Sequence, residues 1–121
     1  MAKKDDVGRW GEELAAEHLR RRGYEILDRN WRCPQGEIDI VARDRGTLVI
    51  VEVKTRSSIA YGHPFEAVTP AKLARLNRLG FAWCVAHTGW YGRFRVDVVS
   101  VIGRAAATAE PAITIFEGVR A

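Results

Sequence analysis

Apolar and charged side chains alternate from Gly36 to Arg56, along GEIDIVARDRGTLVIVEVKTR. This period of two reads as a pair of β-strands. On the first strand Ile38, Ile40 and Ala42 alternate with Glu37, Asp39 and Val41. On the second, Leu48, Ile50, Glu52 and Lys54 share one face, and Val49, Val51, Val53 and Thr55 share the other. Asp44-Arg45-Gly46 supplies the turn, with Gly46 free to take positive φ. A hairpin of this kind brings Asp39 near Glu52 on the neighbouring strand.

A helical period precedes the hairpin, from Asp5 or Asp6 to Arg22. An Asp can cap its start, and Gly23 suits the position just past its end. Val7, Trp10, Gly11, Leu14 and His18 lie on one face, with Ala15 and Leu19 on its flank. At about 100° per residue, Glu12 falls only about 20° from Leu19, whereas Glu13 falls on the opposite flank beside Glu17 and Arg20. Glu12 is thus the acid that leans toward the body of the protein. Both glutamates also suit the positive N-terminal end of a helix.

Tyr24 to Arg32 reads as a first strand, joined to the hairpin by the Cys33-Pro34-Gln35-Gly36 turn. After Arg56 an irregular segment is broken by Gly62 and Pro64 and carries His63, which could meet phosphate or simply be solvated. Thr69 then caps a second helix with Pro70 at its first position. Its buried face is Leu73, Leu76, Gly80, Trp83, Cys84 and His87, with Gly80 marking a close helix–sheet contact. Lys72, Arg75 and Arg78 form the polar side. Arg93 to Ile102 is a fourth strand, with Phe94, Val96 and Val98 on one face and Arg95 and Asp97 on the other. A right-handed crossover through the second helix sets it parallel to Leu48–Lys54. Ile113 to Phe116 adds a short edge strand, and the Ala-rich stretch from Gly103 to Pro111 reads as a loop. The order is α-β-β-β-α-β-β, an α/β fold with a mixed sheet flanked by helices.

Composition narrows the field. A chain of 121 residues makes one domain, 1–121, with its core over about 5–102. The net charge of +4 permits a polyanionic partner without requiring one. Cys33 and Cys84 have no ligand-like spacing and read as free thiols in a reducing cytosol. MAKKDDVGRWGEE contains no apolar run that would make a signal peptide, and no stretch approaches a membrane span. A soluble cytoplasmic protein is the expectation.

Two carboxylates and an ammonium at the end of an apolar strand pair call for a chemical account. Hard cations such as Mg²⁺ take oxygen ligands, commonly one or two carboxylates completed by water and substrate phosphate. Without a cation Asp39 and Glu52 repel, and one tends to keep its proton. Lys54 could hold a water or a phosphoryl oxygen beside such a site. The competing account is a pair of solvated charges on an exposed strand end, since Asp-x(12)-Glu-x-Lys is a loose pattern. The dense apolar run Leu48–Val51 before Glu52 favours a buried strand that emerges into a site.

Several motifs fall in one order: Gly8-x-x-Gly11-Glu12, Asn30, Gly36-Glu37-Ile38-Asp39, Val51-Glu52-Val53-Lys54-Thr55-Arg56, Lys72 and Arg95-x-Asp97-Val98-Val99. Over residues 7–102 this set resembles the bacterial YraN family, also called UPF0102. That family in turn resembles the archaeal Holliday-junction resolvases and the wider PD-(D/E)XK, or restriction-endonuclease-like, nucleases. The resemblance implies an αβββαβ core and Mg²⁺- or Mn²⁺-dependent hydrolysis of DNA phosphodiesters, with branched or processed DNA among the substrates. It implies Asp39 and Glu52, with the Val53 carbonyl, as metal ligands, Lys54 as the catalytic lysine and Glu12 as a helix-borne acid. Ile38 stands where the superfamily's name has proline. Arg56, Lys72, Arg75, Arg93 and Arg95 are scattered cations suited to phosphate contacts, without the signature of a base-reading helix. A resolvase-like role would further imply a homodimer, because a four-way junction has two-fold symmetry. The alternative is a non-catalytic nucleic-acid-binding or recombination-accessory module of the same fold.

Overall fold

Leu19 and Tyr24 pin the end of the first helix before any sheet contact is considered. The N–H of Tyr24 donates to the Leu19 carbonyl at 2.9 Å, and that of Gly23, at φ 91°, donates to Arg20 at 3.0 Å. This pair of bonds closes the helix in a Schellman turn, with Leu19 and Tyr24 buried together beneath it. The computed structural model describes residues 3–57, 68–90, 92–104 and 108–120. Within these the elements are α1 (Lys3–Arg21), β1 (Glu25–Cys33), β2 (Gly36–Asp44), β3 (Thr47–Arg56), α2 (Pro70–Ala86), β4 (Arg95–Ile102) and β5 (Ala112–Phe116). The expected order of elements is the observed one. His63 and most of the irregular segment after Arg56 lie outside the described residues, as does part of the Ala-rich stretch.

The strands form one sheet in the order β1-β2-β3-β4-β5. All neighbours are antiparallel except β3 and β4, which run parallel with Val49 opposite Arg95 and Arg56 opposite Ile102. This is the crossover geometry that the second helix imposes. The sheet is mixed and carries helices on both faces, an α/β fold consistent with an αβββαβ core. α1 covers one face, over Ile40, Ala42, Val49, Val51, Val99 and Val101. α2 covers the other, over Ile38, Val41, Leu48, Ile50 and Val96.

Two details depart from the sequence expectation. α1 begins at Lys3, so Asp6 is not a cap; it lies inside the helix and accepts from Arg9 at 2.7 Å. The strict alternation expected in β2 also fails, because Ile38 packs with the α2 side whereas Ile40 and Ala42 pack with the α1 side. The strand turns over at Asp39. Opposite it, between the pairs Arg29–Ile40 and Trp31–Ile38, Asn30 takes φ 53°. Asn is one of the few residues that enters this left-handed region readily.

The second helix keeps its expected start: Thr69 Oγ1 accepts the Lys72 N–H at 3.2 Å, and Pro70 follows the cap. Leu79 joins its buried face, while His87 is the C-cap and is half-buried. A β-carbon on Gly80 would meet Phe94 at 2.6 Å and Ile50 at 2.9 Å, so glycine is what allows α2 to sit this close. Trp83 is core; it donates to Asp28 at 3.1 Å and stacks on His87 with centroids 3.9 Å apart. Cys33 and Cys84 are free.

Candidate active site

The β2–β3 ladder stops at Ile40–Val51, although β3 continues to pair with β4 as far as Arg56. Beyond Val51 the first two strands of the hairpin therefore part, and a side chain takes over from the backbone. Asp39 Oδ2 accepts the Val53 N–H at 2.8 Å, in place of a ladder carbonyl. The turn-over of β2 at Asp39 and this hydrogen bond hold the carboxylate in the gap between the strands.

Glu52 and Lys54, two residues apart on β3, share a side. Lys54 Nζ lies 3.0 Å from Glu52 Oε2, with both side chains largely buried. Glu12 reaches the gap from α1. Gly11 makes that approach possible, because a β-carbon there would fall 2.0 Å from Thr55 Oγ1. Helix and strand touch at Gly11–Thr55, and the next residue along the helix is delivered to the site. Gly8, one turn earlier, faces open space and leaves the entrance clear. The result is a cleft of about 530 Å³ lined by Val7, Gly8, Glu12, Asp39, Val53, Lys54, Thr55 and Arg56.

The electrostatics of the cleft are those of crowded acids. Burial, and then the charge of Glu52, push the Asp39 carboxyl up to about 8; Glu12 adds to the effect, and the Val53 N–H works against it. Burial also raises Glu12, with Glu37 and Glu52 adding to the shift and Arg29 and the Asn30 amide opposing it. Glu12 Oε1 is buried without a hydrogen-bond partner. A buried acceptor in that condition costs roughly 1–3 kcal/mol. Among the described residues no three His, Cys, Asp or Glu side chains close into a cage around one point. An open pair of carboxylates completed by water and phosphate is nevertheless the usual Mg²⁺ arrangement. The raised Asp39 and the partnerless Glu12 oxygen are both features that a cation would relieve, so the donor set fits a hard divalent ion.

The remaining sequence candidates divide. Arg56 lines the cleft. Lys72 and Arg75 are exposed on α2, the helix on the other face from α1, and neither lines the cleft. Arg93 is exposed. Arg95 is engaged within the protein and stands apart from the cleft. Its guanidinium donates to Asp97 at 2.8 and 3.0 Å, to Asp44 at 2.9 Å and to the Tyr24 hydroxyl at 3.1 Å. It also stands opposite Val49, roughly 16 Å along the strand from Lys54 at about 3.3 Å per residue. Glu13 is exposed and pairs with Arg29 at 3.1 Å.

A family model described as Uncharacterised protein family UPF0102 matches residues 11–101. The chain belongs to UPF0102. Among its relatives, a UPF0102 protein of Paenarthrobacter aurescens (strain TC1) is 57% identical over 119 residues, covering 98% of this chain and 97% of that one. A UPF0102 protein of Beutenbergia cavernae is 53% identical over 109 residues, 90% of this chain and 92% of the other. UPF0102 protein Lxx14785 of Leifsonia xyli is 49% identical over 119 residues, 98% and 99% of the two chains. The stretch matched by the UPF0102 model contains Glu12, Asp39, Glu52, Lys54 and Arg56. Two residues of this UPF0102 chain that sequence reasoning gave no task have one here: Asn30 supplies the left-handed turn opposite Asp39, and Gly8 keeps the cleft open. The spacing Gly8-x-x-Gly11 was the available signal, since glycines one turn apart mark a helix face where backbone or ligand comes close. No described helix is long and apolar enough to cross a membrane.

Proposed function

We propose that this UPF0102 chain is a metal-dependent endonuclease that hydrolyses DNA phosphodiester bonds. The observation that carries the reading is the convergence of Asp39, Glu52 and Lys54 where β2 and β3 part, with Glu12 across the cleft. Asp39 and Glu52, with the Val53 carbonyl, would hold Mg²⁺ or Mn²⁺, and Glu12 would support them from the helix. A bound ion would supply Lewis-acid polarisation of the scissile phosphate and neutralise charge that otherwise repels it. The chain's own groups do the rest. Glu52 orients the Lys54 ammonium at 3.0 Å, ready to meet charge that develops on a phosphoryl oxygen. The Val53 N–H fixes the rotation of the Asp39 carboxyl, which lines the cleft beside Glu52. Arg56 at the rim, and Lys72 and Arg75 on the outer helix, are cations for the DNA backbone. Branched or processed DNA is the substrate class that the resolvase-like core suggests, with a homodimer for symmetric junctions.

The test is to incubate pure protein with linear, flapped and four-way DNAs in Mg²⁺, Mn²⁺ and EDTA, and to titrate Mn²⁺ by electron paramagnetic resonance in parallel. Metal-dependent cutting, together with Mn²⁺ binding abolished by Asp39→Asn, is the expected outcome. DNA binding with no cleavage of any substrate would make the chain a binding module of the same fold.

A further inference from the structure

Beside the cleft, and sharing Val7 with it, lies a second recess of about 190 Å³ lined by Asp6, Val7, Trp10, Ser57, Gly103 and Arg104. It is far smaller than the roughly 300–1,000 Å³ of a pocket for a drug-sized ligand. It has room for one planar ring system and for no helix or strand. The floor is built rather than incidental. Gly103 closes β4 by donating its N–H to the Arg56 carbonyl at 2.9 Å; its missing side chain makes room for Pro111, 3.0 Å from where a β-carbon would stand, and the Trp10 ring lies in ordinary contact at 3.6 Å. Val7 is half exposed, one of three large apolar side chains left open among the described residues. Arg104 adds a cation to the rim, and Arg56 lines the adjoining cleft.

Resting on the endonuclease reading above, we infer that this recess receives a single unpaired nucleobase of the DNA whose phosphate occupies the adjoining cleft, with Trp10 as its stacking surface. The occupant follows from three facts. The recess adjoins the cleft, with Val7 lining both, which puts the two within reach of one nucleotide. Its walls are aromatic and aliphatic, as a base face requires, while its rim carries the Arg104 cation, suited to the attached phosphate, and Asp6, whose carboxylate is paired with Arg9. Its size admits one ring system, so a paired base cannot enter without leaving its helix. The substrate is therefore DNA with an unpaired or extruded nucleotide beside the bond that is cut, such as a flap, and not continuous duplex.

The experiment measures the affinity of the full chain in EDTA, where nothing is cut, by fluorescence anisotropy. The probes are a blunt duplex, the same duplex with a short single-stranded flap, and that flap built from abasic nucleotides. The expected result is tighter binding of the base-bearing flap than of either other DNA. In Trp10→Ala this preference is lost through a roughly fivefold to hundredfold weaker hold on the flap, while Trp10→Phe retains it. A flap preference that survives Trp10→Ala, or survives removal of the bases, overturns the assignment, as does equal binding of all three DNAs by the wild type. The comparison of base-bearing and abasic flaps needs no variant, so it stands even if Trp10→Ala fails to fold. Failure of the wild type to bind any of the DNAs overturns the DNA reading itself, an outcome distinct from DNA binding that ignores Trp10.

Discussion

Asp39 carries two tasks in one side chain, since one oxygen replaces a ladder carbonyl at Val53 while the group as a whole faces Glu52 and Glu12. Its carboxyl is pushed up to about 8 by burial and by Glu52, which fixes a sign for stability. An acid whose folded pKa exceeds its unfolded value binds more protons folded than unfolded, so its contribution is complete below about pH 4 and is lost as pH rises toward 8. In EDTA, the midpoint of thermal unfolding should fall from pH 5 to pH 9. Asp39→Asn should flatten that fall, and so should Mg²⁺ if it binds there; a variant with the wild-type slope would show that Asp39 is not the responsible group. Once Asp39 ionises, above about pH 8 without metal, its charge also repels phosphate, by roughly 1 kcal/mol per pair at ~4 Å in water and about 4 at an effective dielectric of 20. Asp39→Asn should therefore bind DNA in EDTA at least as well as wild type and cut nothing in Mg²⁺. Lys54→Ala should lose both cleavage and affinity, because it removes the cation beside the phosphate. Glu12→Gln should weaken Mn²⁺ binding or cleavage, whereas Glu13→Gln, which changes only an exposed pair with Arg29, should do little. Equal effects of the two would remove Glu12 from the site.

At the level of elements, the site depends on how closely α1 can lie against β3. Replacing glycine by alanine inside a helix normally gains up to about 1 kcal/mol. At Gly11 the new β-carbon would collide with Thr55 Oγ1 at 2.0 Å, and overpacking of that kind costs about 1–3 kcal/mol. The clash should win. Gly11→Ala is expected to destabilise the protein in urea and to reduce activity by lifting Glu12 away, and Thr55→Ala in the same chain should restore part of both. Gly8→Ala, with nothing within 4 Å, should be neutral or stabilising. Opposite signs at two glycines one turn apart are what the packing requires; equal signs would contradict it.

Across the whole molecule a buried polar network ties four parts of the chain together. Asp97, fully buried on β4, accepts from Arg95, from the Tyr24 hydroxyl at 2.9 Å and from the Gly118 N–H at 2.9 Å. Arg95 also holds Asp44 at the end of β2 and lies 3.5 Å from Glu117. Hydrogen bonding to Arg95 lowers the Asp44 pKa, while burial and the Asp97 acceptor raise that of Tyr24. Arg95→Met should cost about 3–5 kcal/mol in denaturant, because it leaves buried carboxylates uncompensated, and the loss should exceed that from Arg56→Met or Lys72→Met, whose parents are exposed. For DNA the order should reverse, with Arg56 contributing to affinity and Arg95 only through folding. Binding through phosphates should weaken with salt at a log–log slope of about −0.9 per phosphate neutralised; a flat response would count against backbone recognition. Cleavage of symmetric junctions would require two sites related by a two-fold axis, so sedimentation of a junction-cutting sample should show a dimer.

The sequence by itself determined the elements and their order. Period-two and helical patterns are local, and so are the Thr69–Pro70 cap, the Gly23 stop and the Arg45–Gly46 turn, where both residues take positive φ. The crossover fixed β4 parallel to β3 by a general rule of handedness. The triplet Asp39, Glu52 and Lys54 was legible because charge at the end of an apolar run is conspicuous along a strand. What the tertiary structure decided was which charges meet. Alternation along β2 could not foresee that the strand turns over at Asp39, because the irregularity is shared with the neighbouring strand, where Asn30 takes positive φ opposite it. The pattern Arg95-x-Asp97 reads as a polar face, yet Tyr24, Asp44 and the Gly118 backbone turn it into an internal brace. Helical phase brought Glu12 toward the body of the protein, but only the Gly11–Thr55 contact, between residues far apart in sequence, fixed how near it could come. Local periodicity records the environment each residue needs; contacts between distant segments decide which residues supply it.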